Sequence, residues 1–446
     1  MNLIARFMDE FKNRGLLGAL DVTPKLLIPV ASHILNLRHR GFAFKEYGAG
    51  CAIKEDGSLN PIVGAPSDLR CHLMLVGEPA TGKSLFRDHL FAERIGPLHG
   101  IIPVKPVLKM TDGGLVGGKV HTGGGRWVWE RGLFSTQRLS MLYGEEWAAV
   151  QTAGKQGHSS NLKDTLLTAL DSGEVIVDLV GVSDAYQTFA TGIFGVQPAR
   201  FEEDSGISRR MIFHRLPPPR GEWGYRYKLA AEILRAWEPD QEAISSLKKA
   251  FAYRAMDAAR IKRIELAPAL SKRLVQDKTV TPQLMPIVTK ALIANWFLSA
   301  PRIEETLTVP LESSASNLII NIVDSYRQAT SNNDLFEILM ENTDGLTDLI
   351  KRLRDERICS SVPRAKSELQ RSVVAYESHG IRYVKMQTGL GRPVSIPTGL
   401  SIEDLTRRLP GYRFVGEYNS DGDLIPLDMP EPSEGHREEE QHAGDY

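Results

Sequence analysis

The sequence predicts an α/β protein with a parallel sheet at its centre, followed by a helical lid and a C-terminal winged helix. The first observation is the short apolar run at residues 71–76 (CHLMLV), which ends at a glycine and is typical of a buried parallel strand. The second is the alternation of short strands, helices and glycine-rich loops from there to residue 216. The third is a pattern of three helices and a hairpin within residues 331–400.

The chain has 446 residues, which is enough for several domains with sizeable cores. Its composition and periodicity divide it into a helical lead-in at 1–70, the α/β core at 71–216, a helical lid region at 217–330, the winged-helix domain at 331–400 and an acidic, partly disordered tail at 401–446. The stretch 216–221 (LPPPRG) separates core from lid, because it fits neither a helix nor a central strand. Helix periodicity in the lid is clearest over 228–237, 244–266 and 284–298.

The overall composition is typical of a globular protein, with 42% hydrophobic and 24% charged residues. The formal net charge is −1, so any nucleic-acid-binding surface must be local. Cys51, Cys71 and Cys359 have no metal-ligand spacing, and we expect free thiols in a reducing compartment. We find neither a signal peptide nor an uninterrupted apolar run of about 18 residues. The sequence therefore predicts a cytoplasmic protein with no membrane partner.

Residues 77–84 (GEPATGKS) directly follow the predicted strand and match the pattern of a phosphate-binding P-loop. Gly77 and Gly82 permit the tight backbone path that points amide N–H groups at phosphate oxygens, and the following helix adds its positive N-terminal end. Lys83 would neutralise the β- and γ-phosphates, and the Ser84 hydroxyl would bind Mg²⁺. We therefore expect ATP and Mg²⁺ as cofactors. The candidate binding residues are Gly77, Glu78, Pro79, Ala80, Thr81, Gly82, Lys83, Ser84 and Leu85.

Hydrolysis requires a second acidic group near the metal and an oriented water molecule. Residues 139–147 (LSMLYGEEW) predict a mostly apolar strand that ends in two carboxylates. Glu145 would hold the Mg²⁺ shell through water, and Glu146 would polarise the attacking water, since the carboxyl end of a parallel strand faces the ligand crevice. The alternative interpretation is a pair of exposed glutamates at a turn.

The order of these motifs resembles the AAA+ ATPases, and among them the minichromosome maintenance (MCM) helicases. Residues 70–84 resemble that family's strand and Walker A loop, with Gly82 where the family usually has alanine. Residues 114–120 (GLVGGKV) occupy the place of a Gly-Leu-Thr-Ala segment, and 129–147 match the spacing to the Walker B acids. Glu145 stands where the family has aspartate, so the resemblance implies a slightly different metal geometry.

The resemblance continues through the second half of the core. Residues 164–174 resemble the helix before the family's pre-sensor hairpin, and 174–184 resemble that hairpin. The hairpin has 178–181 (DLVG) near its tip, where a DNA-gripping lysine would be expected. Residues 194–198 (FGVQP) resemble the sensor 1 strand, which implies that the Gln197 amide holds the attacking water.

Residues 206–213 (GISRRMIF) resemble the family's Leu-Ser-Arg-Phe segment and imply that Arg209 is an arginine finger. Such an arginine acts on the γ-phosphate bound by a neighbouring subunit, so the resemblance implies a homo-oligomeric, hexameric ring. Lys290 is a candidate for the family's sensor 2 residue, and an ordinary surface lysine is the alternative. The sequence places about 70 residues before the loop, so we expect the family's N-terminal DNA-encircling domain to be lacking.

The C-terminal pattern predicts DNA as a partner. It consists of helices at 334–342, 346–357 and 364–376 and strands at 382–386 and 392–396 around a glycine turn. Residues 350–400 hold ten Lys/Arg, at 351, 352, 354, 357, 364, 366, 371, 382, 385 and 392, against four Asp/Glu, at 355, 356, 368 and 377. Lys366 and Arg371 from the third helix and Lys385 and Arg392 from the wing are the candidate phosphate contacts. A protein-binding winged helix or a solvated basic face is the alternative.

A second candidate DNA contact lies in the core. Lys119 lies in the glycine-rich stretch 117–125 and Arg126 directly follows it; we expect this stretch to be a loop facing the pore of a ring. A loop at the edge of the crevice without a ligand is the alternative. Together, the motifs predict an ATP-hydrolysing DNA motor, either a helicase or a replication initiator. The alternative function is a protein-remodelling or nucleotide-switch ATPase whose winged helix binds a protein.

Overall fold

The structure is a computed structural model. It describes residues 2–16, 18–79, 81–107, 112–122, 126–144, 168–179, 182–197, 210–217, 221–330, 382–388, 394–408, 412–418 and 423–426. The chain forms two compact units, residues 1–330 and 331–446, which are described separately below.

Five parallel strands form the central sheet of the first unit, as the sequence predicted. In spatial order they are β11 (Met211–Arg215), β3 (His72–Val76), β10 (Thr191–Val196), β7 (Met141–Gly144) and β4 (Val104–Val107). Every residue of β3, β7 and β10 is buried. This continuous burial is what a parallel sheet covered on both faces requires, and it explains why these strands read as unbroken apolar runs.

The two faces of the sheet pack against different cores. Leu73 and Leu75 of β3 join the larger core, whereas Met74 and Val76 join the smaller one, because successive strand side chains point in opposite directions. The larger core collects apolar residues of the N-terminal helices and of most helices after residue 240. The protein is therefore an α/β fold with helices flanking a parallel sheet.

The first 70 residues are part of the larger core. They contain α1 (Leu3–Asn13), α2 (Ala19–His39) and an antiparallel hairpin of β1 (Phe42–Tyr47) and β2 (Gly50–Glu55). Asn2 caps α1 by accepting a hydrogen bond from the Ala5 amide at 3.2 Å. This hairpin was not foreseen, since the sequence predicted a helical lead-in over 1–70.

Short elements lie between the strands of the sheet. They are α3 (Lys83–Phe91), α4 (Asp112–Leu115), α5 (Leu133–Thr136), the hairpin of β5 (Gly117–Thr122) and β6 (Arg126–Arg131), and the hairpin of β8 (Glu174–Leu179) and β9 (Val182–Gln187). The prediction of a loop over 117–125 was wrong for its first part, since residues 117–122 pair with 126–131 as antiparallel strands. The antiparallel hairpin that the resemblance implied near 174–184 is present. Asp184 accepts hydrogen bonds from Trp129 at 3.0 Å and from Arg131 at 2.7 and 2.8 Å, which joins the two hairpins.

Residues after the sheet are mostly helical. They form α6 (Gly221–Ala236), α7 (Gln241–Asp257), α8 (Pro268–Gln276), α9 (Met285–Ser299), α10 (Ser313–Thr330) and a two-stranded parallel sheet of β12 (Arg263–Leu266) and β13 (Thr306–Val309). The helix predicted over 244–266 was wrong in its last part. The chain leaves the helix after Asp257, because 263–266 pair with a strand more than 40 residues further along.

The described part of the second unit contains a four-stranded antiparallel sheet. Its order is β15 (Val394–Thr398), β14 (Arg382–Thr388), β16 (Tyr412–Tyr418) and β17 (Leu424–Pro426), and α11 (Ile402–Arg408) lies between β15 and β16 in sequence. Strands β14 and β15 correspond to the predicted wing. The three predicted helices fall outside the described residues, so the winged helix stays a prediction. Strand pairing continues beyond residue 400, where we expected the tail to begin.

Within the ranges given above, no helix combines the length and the apolar character needed to cross a membrane.

Candidate phosphate-binding site

The candidate site is the glycine loop, residues 77–82, between the end of β3 and the start of α3. Residue 80 of this loop lies outside the described residues. From β3 the chain passes to β4 at one edge of the sheet, and it later returns over β3 to reach β11 at the other edge. Ligands of open parallel sheets bind beyond the carboxyl ends of the strands, where such connections diverge. The loop therefore lies where a ligand crevice is expected.

Two glycines shape this loop. Gly82 adopts a left-handed conformation with φ 83° and forms the N-cap of α3, a backbone conformation that favours glycine. At Gly77, an added Cβ would lie 2.6 Å from Thr81 Oγ1 and 3.1 Å from Leu216 Cβ. A side chain at position 77 would thus fill the interior of the loop. A phosphate-binding loop must let the phosphate oxygens approach the backbone amides closely, and the absence of a side chain at position 77 permits this.

Lys83 closes the loop from its other side. Its Nζ donates hydrogen bonds to the carbonyl oxygens of Gly77 at 2.6 Å and Glu78 at 2.8 Å. Thr81 Oγ1 donates to the same Glu78 carbonyl at 2.8 Å. The ammonium therefore lies across the loop, next to the N-terminal end of α3, where a helix presents amides without intrahelical acceptors. One amide of this turn, that of Leu85, donates to the Gly82 carbonyl at 3.0 Å. A positive charge and amide donors converge there, as an anion site requires.

Tyr143 connects this helix to the neighbouring strand β7. Its hydroxyl donates to the Lys83 carbonyl at 2.5 Å, and the Arg87 guanidinium lies 6.0 Å from its ring centre. Strand β7 ends at Gly144, one residue later, and the predicted acids Glu145 and Glu146 come directly after it in the sequence. Both acids lie outside the described residues. The sequence analysis missed Tyr143, whose position within an apolar strand resembles that of an ordinary core residue.

Gln197 follows β10, the strand between β3 and β7. Val196 pairs with Val76, and the Gly77 amide donates to the Val196 carbonyl at 3.0 Å. Gln197 is therefore adjacent to the glycine loop, and it is half-buried. The predicted strand before Gln197 is confirmed, while the role of its amide stays a prediction.

Tyr227 of α6 is a second residue that sequence reasoning missed. Its hydroxyl donates to the Pro217 carbonyl at 2.9 Å. Burial, reinforced by the negative charge of Glu78, raises the pKa of Tyr227 to about 12. Leu216, the residue before Pro217, lies 3.1 Å from a Cβ added at Gly77, so this part of α6 lies beside the glycine loop. No local pattern marks Tyr227, because its partners are separated from it in the sequence.

The remaining predicted residues are distributed over several elements. Ser84 is half-buried and Leu85 is exposed, both in the first turn of α3. Lys119 and Arg126 belong to the paired strands β5 and β6, and Lys385 is half-buried on β14. Ala80, Glu145, Glu146, Arg209, Lys366, Arg371 and Arg392 lie outside the described residues. Among the residues that could be searched, no cluster of three or more His, Cys, Asp or Glu side chains could hold a metal.

Lys290 does not fit the alternative of a surface lysine. Its side chain is only 14% exposed, and its Nζ lies 3.6 Å from Asp68 Oδ2. Asp68 precedes β3, so this ion pair lies toward the amino end of the sheet, away from the glycine loop.

Fold and site together define an α/β protein with a five-stranded parallel sheet and a glycine loop at the carboxyl end of β3. No protein-family model matches the chain. A search of curated proteins finds no significant match either.

Proposed function

We propose that this chain is a P-loop ATPase of the AAA+ class that acts on DNA as an MCM-like helicase or replication initiator. The observation that carries the proposal is the glycine loop, closed by Lys83 at the carboxyl end of a buried central strand. Strands β10 and β7 support it, since they are parallel neighbours in the sheet, with Gln197 following β10 and the predicted acids following β7 in the sequence. The proposed cofactors are ATP and Mg²⁺.

The roles of the residues follow from their positions. When ATP binds, Lys83 Nζ donates hydrogen bonds to phosphate oxygens instead of to the two loop carbonyls. Amides of the first turn of α3 donate to the same phosphates. Ser84 offers its hydroxyl to Mg²⁺, with Glu145 in the outer shell. Glu146 and the Gln197 amide orient the attacking water. MgATP supplies the phosphoryl group whose transfer to water releases the free energy.

We further propose that Arg209 acts on the γ-phosphate of a neighbouring copy, which makes the active form an oligomeric ring. Arg209 immediately precedes Arg210, whose guanidinium donates to Asp171 at 2.8 Å just before β11. That contact supports a fixed backbone next to Arg209, as a residue that must reach into another subunit requires. Loss of Arg209 should leave ATP binding intact and remove hydrolysis.

The proposed DNA contacts are Lys119, Arg126, Lys366, Arg371, Lys385 and Arg392. The concentration of ten basic residues within 350–400 supports a phosphate-contacting surface. Arg382, one of the ten basic residues within 350–400, is paired with Glu417 at 3.2 Å, which lowers the local excess of positive charge. That pair favours the second candidate, a remodelling ATPase whose C-terminal unit binds a protein.

The ATPase rate, measured with and without single- and double-stranded DNA at two salt concentrations, separates these functions. A DNA motor should show several-fold stimulation that weakens as salt rises, because counterions compete for the phosphate contacts. Arg209→Ala should bind ATP like the wild type but hydrolyse it at least about 100-fold more slowly.

An ATPase that DNA neither stimulates nor binds would exclude the motor and leave the remodelling function. An Arg209→Ala protein with normal turnover would exclude the trans-acting arginine.

A further inference from the structure

A cavity of about 420 Å³ opens at the amino end of the central sheet, opposite the glycine loop. It is lined by Arg70, Leu170, Asp171, Arg210, Pro282, Gln283, Pro286, Ile287 and Lys290. Arg70 lies two residues before β3, and Arg210 lies directly before β11. The seven residue-to-residue steps from Arg70 to Gly77 span roughly 23 Å at about 3.3 Å per step of extended chain. One small ligand therefore cannot occupy the cavity and the glycine loop at the same time.

Three cations and one carboxylate line this cavity, and a second carboxylate, Asp68, supports it from behind. Arg70 is almost fully buried and is held by Asp68 Oδ1 at 2.8 Å and the Ala190 carbonyl at 2.9 Å. Arg210 pairs with Asp171 at 2.8 Å. Lys290 shares Asp68 with Arg70. Formal charges therefore leave one net positive charge at the cavity.

Lys290 is the cation with hydrogen-bonding capacity to spare. Its closest carboxylate oxygen, Asp68 Oδ2, lies at 3.6 Å, beyond hydrogen-bond reach. No hydrogen bond to Lys290 Nζ is found within the described part of the chain. The Lys290 side chain is 14% exposed and its Nζ keeps access to solvent, so the three donors of this ammonium group are open to the cavity. An anion in the cavity would supply acceptors for them.

The wall opposite the arginines favours an anion as well. Pro286 and Ile287 lie in the first turn of α9, a helix of 15 residues, so the positive end of its dipole faces this region. Pro286 has no N–H, and the two prolines at 282 and 286 restrict the wall to few conformations. The cavity is therefore a preorganised, cationic compartment of limited size.

We infer that this cavity binds a phosphate group, either a small phosphate compound or one phosphate of a polynucleotide backbone. Lys290 is the principal ligand, Arg210 and Arg70 add positive charge, and Asp171 weakens the interaction by repulsion. The inference goes beyond the proposed ATPase function and does not depend on it.

The test uses the full chain carrying Lys83→Ala, so that phosphate binding at the glycine loop is suppressed. Calorimetric titration with inorganic phosphate, against sodium chloride of equal ionic strength, should detect binding. Lys290→Met in this background should weaken phosphate binding at least tenfold. Lys272→Met, at an exposed position, should leave the phosphate affinity unchanged. Asp171→Asn, at a side chain that is 55% exposed, should strengthen phosphate binding several-fold because it removes a like charge.

The outcomes separate this site from the glycine loop. Phosphate binding that is absent in the Lys83→Ala protein, or that is unaffected by both Lys290→Met and Asp171→Asn, would overturn the inference and leave the ATPase proposal standing. Conversely, phosphate binding with these responses, together with a wild-type chain that binds no ATP, would support the cavity and exclude the ATPase. If a single-stranded oligonucleotide displaces the bound inorganic phosphate, the natural ligand is a phosphate of a polynucleotide backbone. Failure to displace it identifies a small phosphate compound.

Discussion

Gly77 shows how a single residue determines the candidate site. A methyl group there would lie 2.6 Å from Thr81 Oγ1, so Gly77→Ala must displace the loop that Lys83 closes. We expect at least tenfold weaker binding of a fluorescent ATP analogue, measured by titration. Gly57→Ala is the matched control, since its added Cβ meets nothing within 4 Å. Equal affinity of both variants for the analogue would show that the loop does not hold the phosphates.

The candidate site residues that the sequence suggests are those marked by a local pattern. Gly77, Gly82 and Lys83 belong to one continuous motif with a fixed spacing. Tyr143 and Tyr227 were missed, because their importance comes from contacts with residues 60 and 10 positions away. A pattern within a short window carries no information about such contacts.

The same distinction holds for whole elements. The buried strand β3 was predicted at 71–76 and lies at His72–Val76, since a continuous apolar run is a local signal. The parallel pair β12 and β13 was not, because 263–266 become a strand only through pairing with 306–309. The glycine-rich stretch 117–122 likewise forms a strand by pairing with 126–131. Tertiary pairing overrode local propensity in both cases.

Arg254 makes a testable contact between two elements. This buried side chain of α7 donates to the carbonyls of Phe297 at 2.9 Å and Ala300 at 2.7 Å, at the C-terminal end of α9. Arg254→Met should lower the free energy of unfolding by about 3 kcal/mol, since it leaves buried carbonyls without donors. Lys249→Met, at an exposed position of the same helix, should change it by less than about 0.5 kcal/mol. Urea denaturation measures both, and equal effects would contradict the contact's importance.

At the scale of the whole first unit, four buried histidines predict acid sensitivity. Burial lowers the pKa of His33 and His89 to about 4, and that of His72 and His214 to about 3. The Gly192 amide donates to His72 Nδ1 at 2.9 Å, which fits a neutral ring. In the unfolded chain these groups titrate near 6.5, so the unfolded state binds more protons between pH 6.5 and 4. Stability is therefore greatest above pH 6.5 and falls as the pH is lowered.

The expected loss is about 5 kcal/mol between pH 6 and pH 5, because each histidine contributes about 1.4 kcal/mol per pH unit in this range. Urea unfolding of the full chain at pH 7, 6 and 5, followed by a signal of the first unit, measures it. A free energy of unfolding that stays constant from pH 7 to pH 5 would mean that these histidines are not buried in the neutral form.

At the scale of the whole molecule, the proposed function requires that the full chain binds ATP at the glycine loop. Calorimetric titration with ATP in the presence of Mg²⁺ tests this most directly. The wild type and the exposed-site variant Lys272→Ala should bind ATP with the same affinity. Lys83→Ala should bind at least about 100-fold more weakly, because a charge-assisted contact to phosphate is lost. Wild-type protein that takes up no ATP, or a Lys83→Ala protein that binds it equally well, would contradict the account.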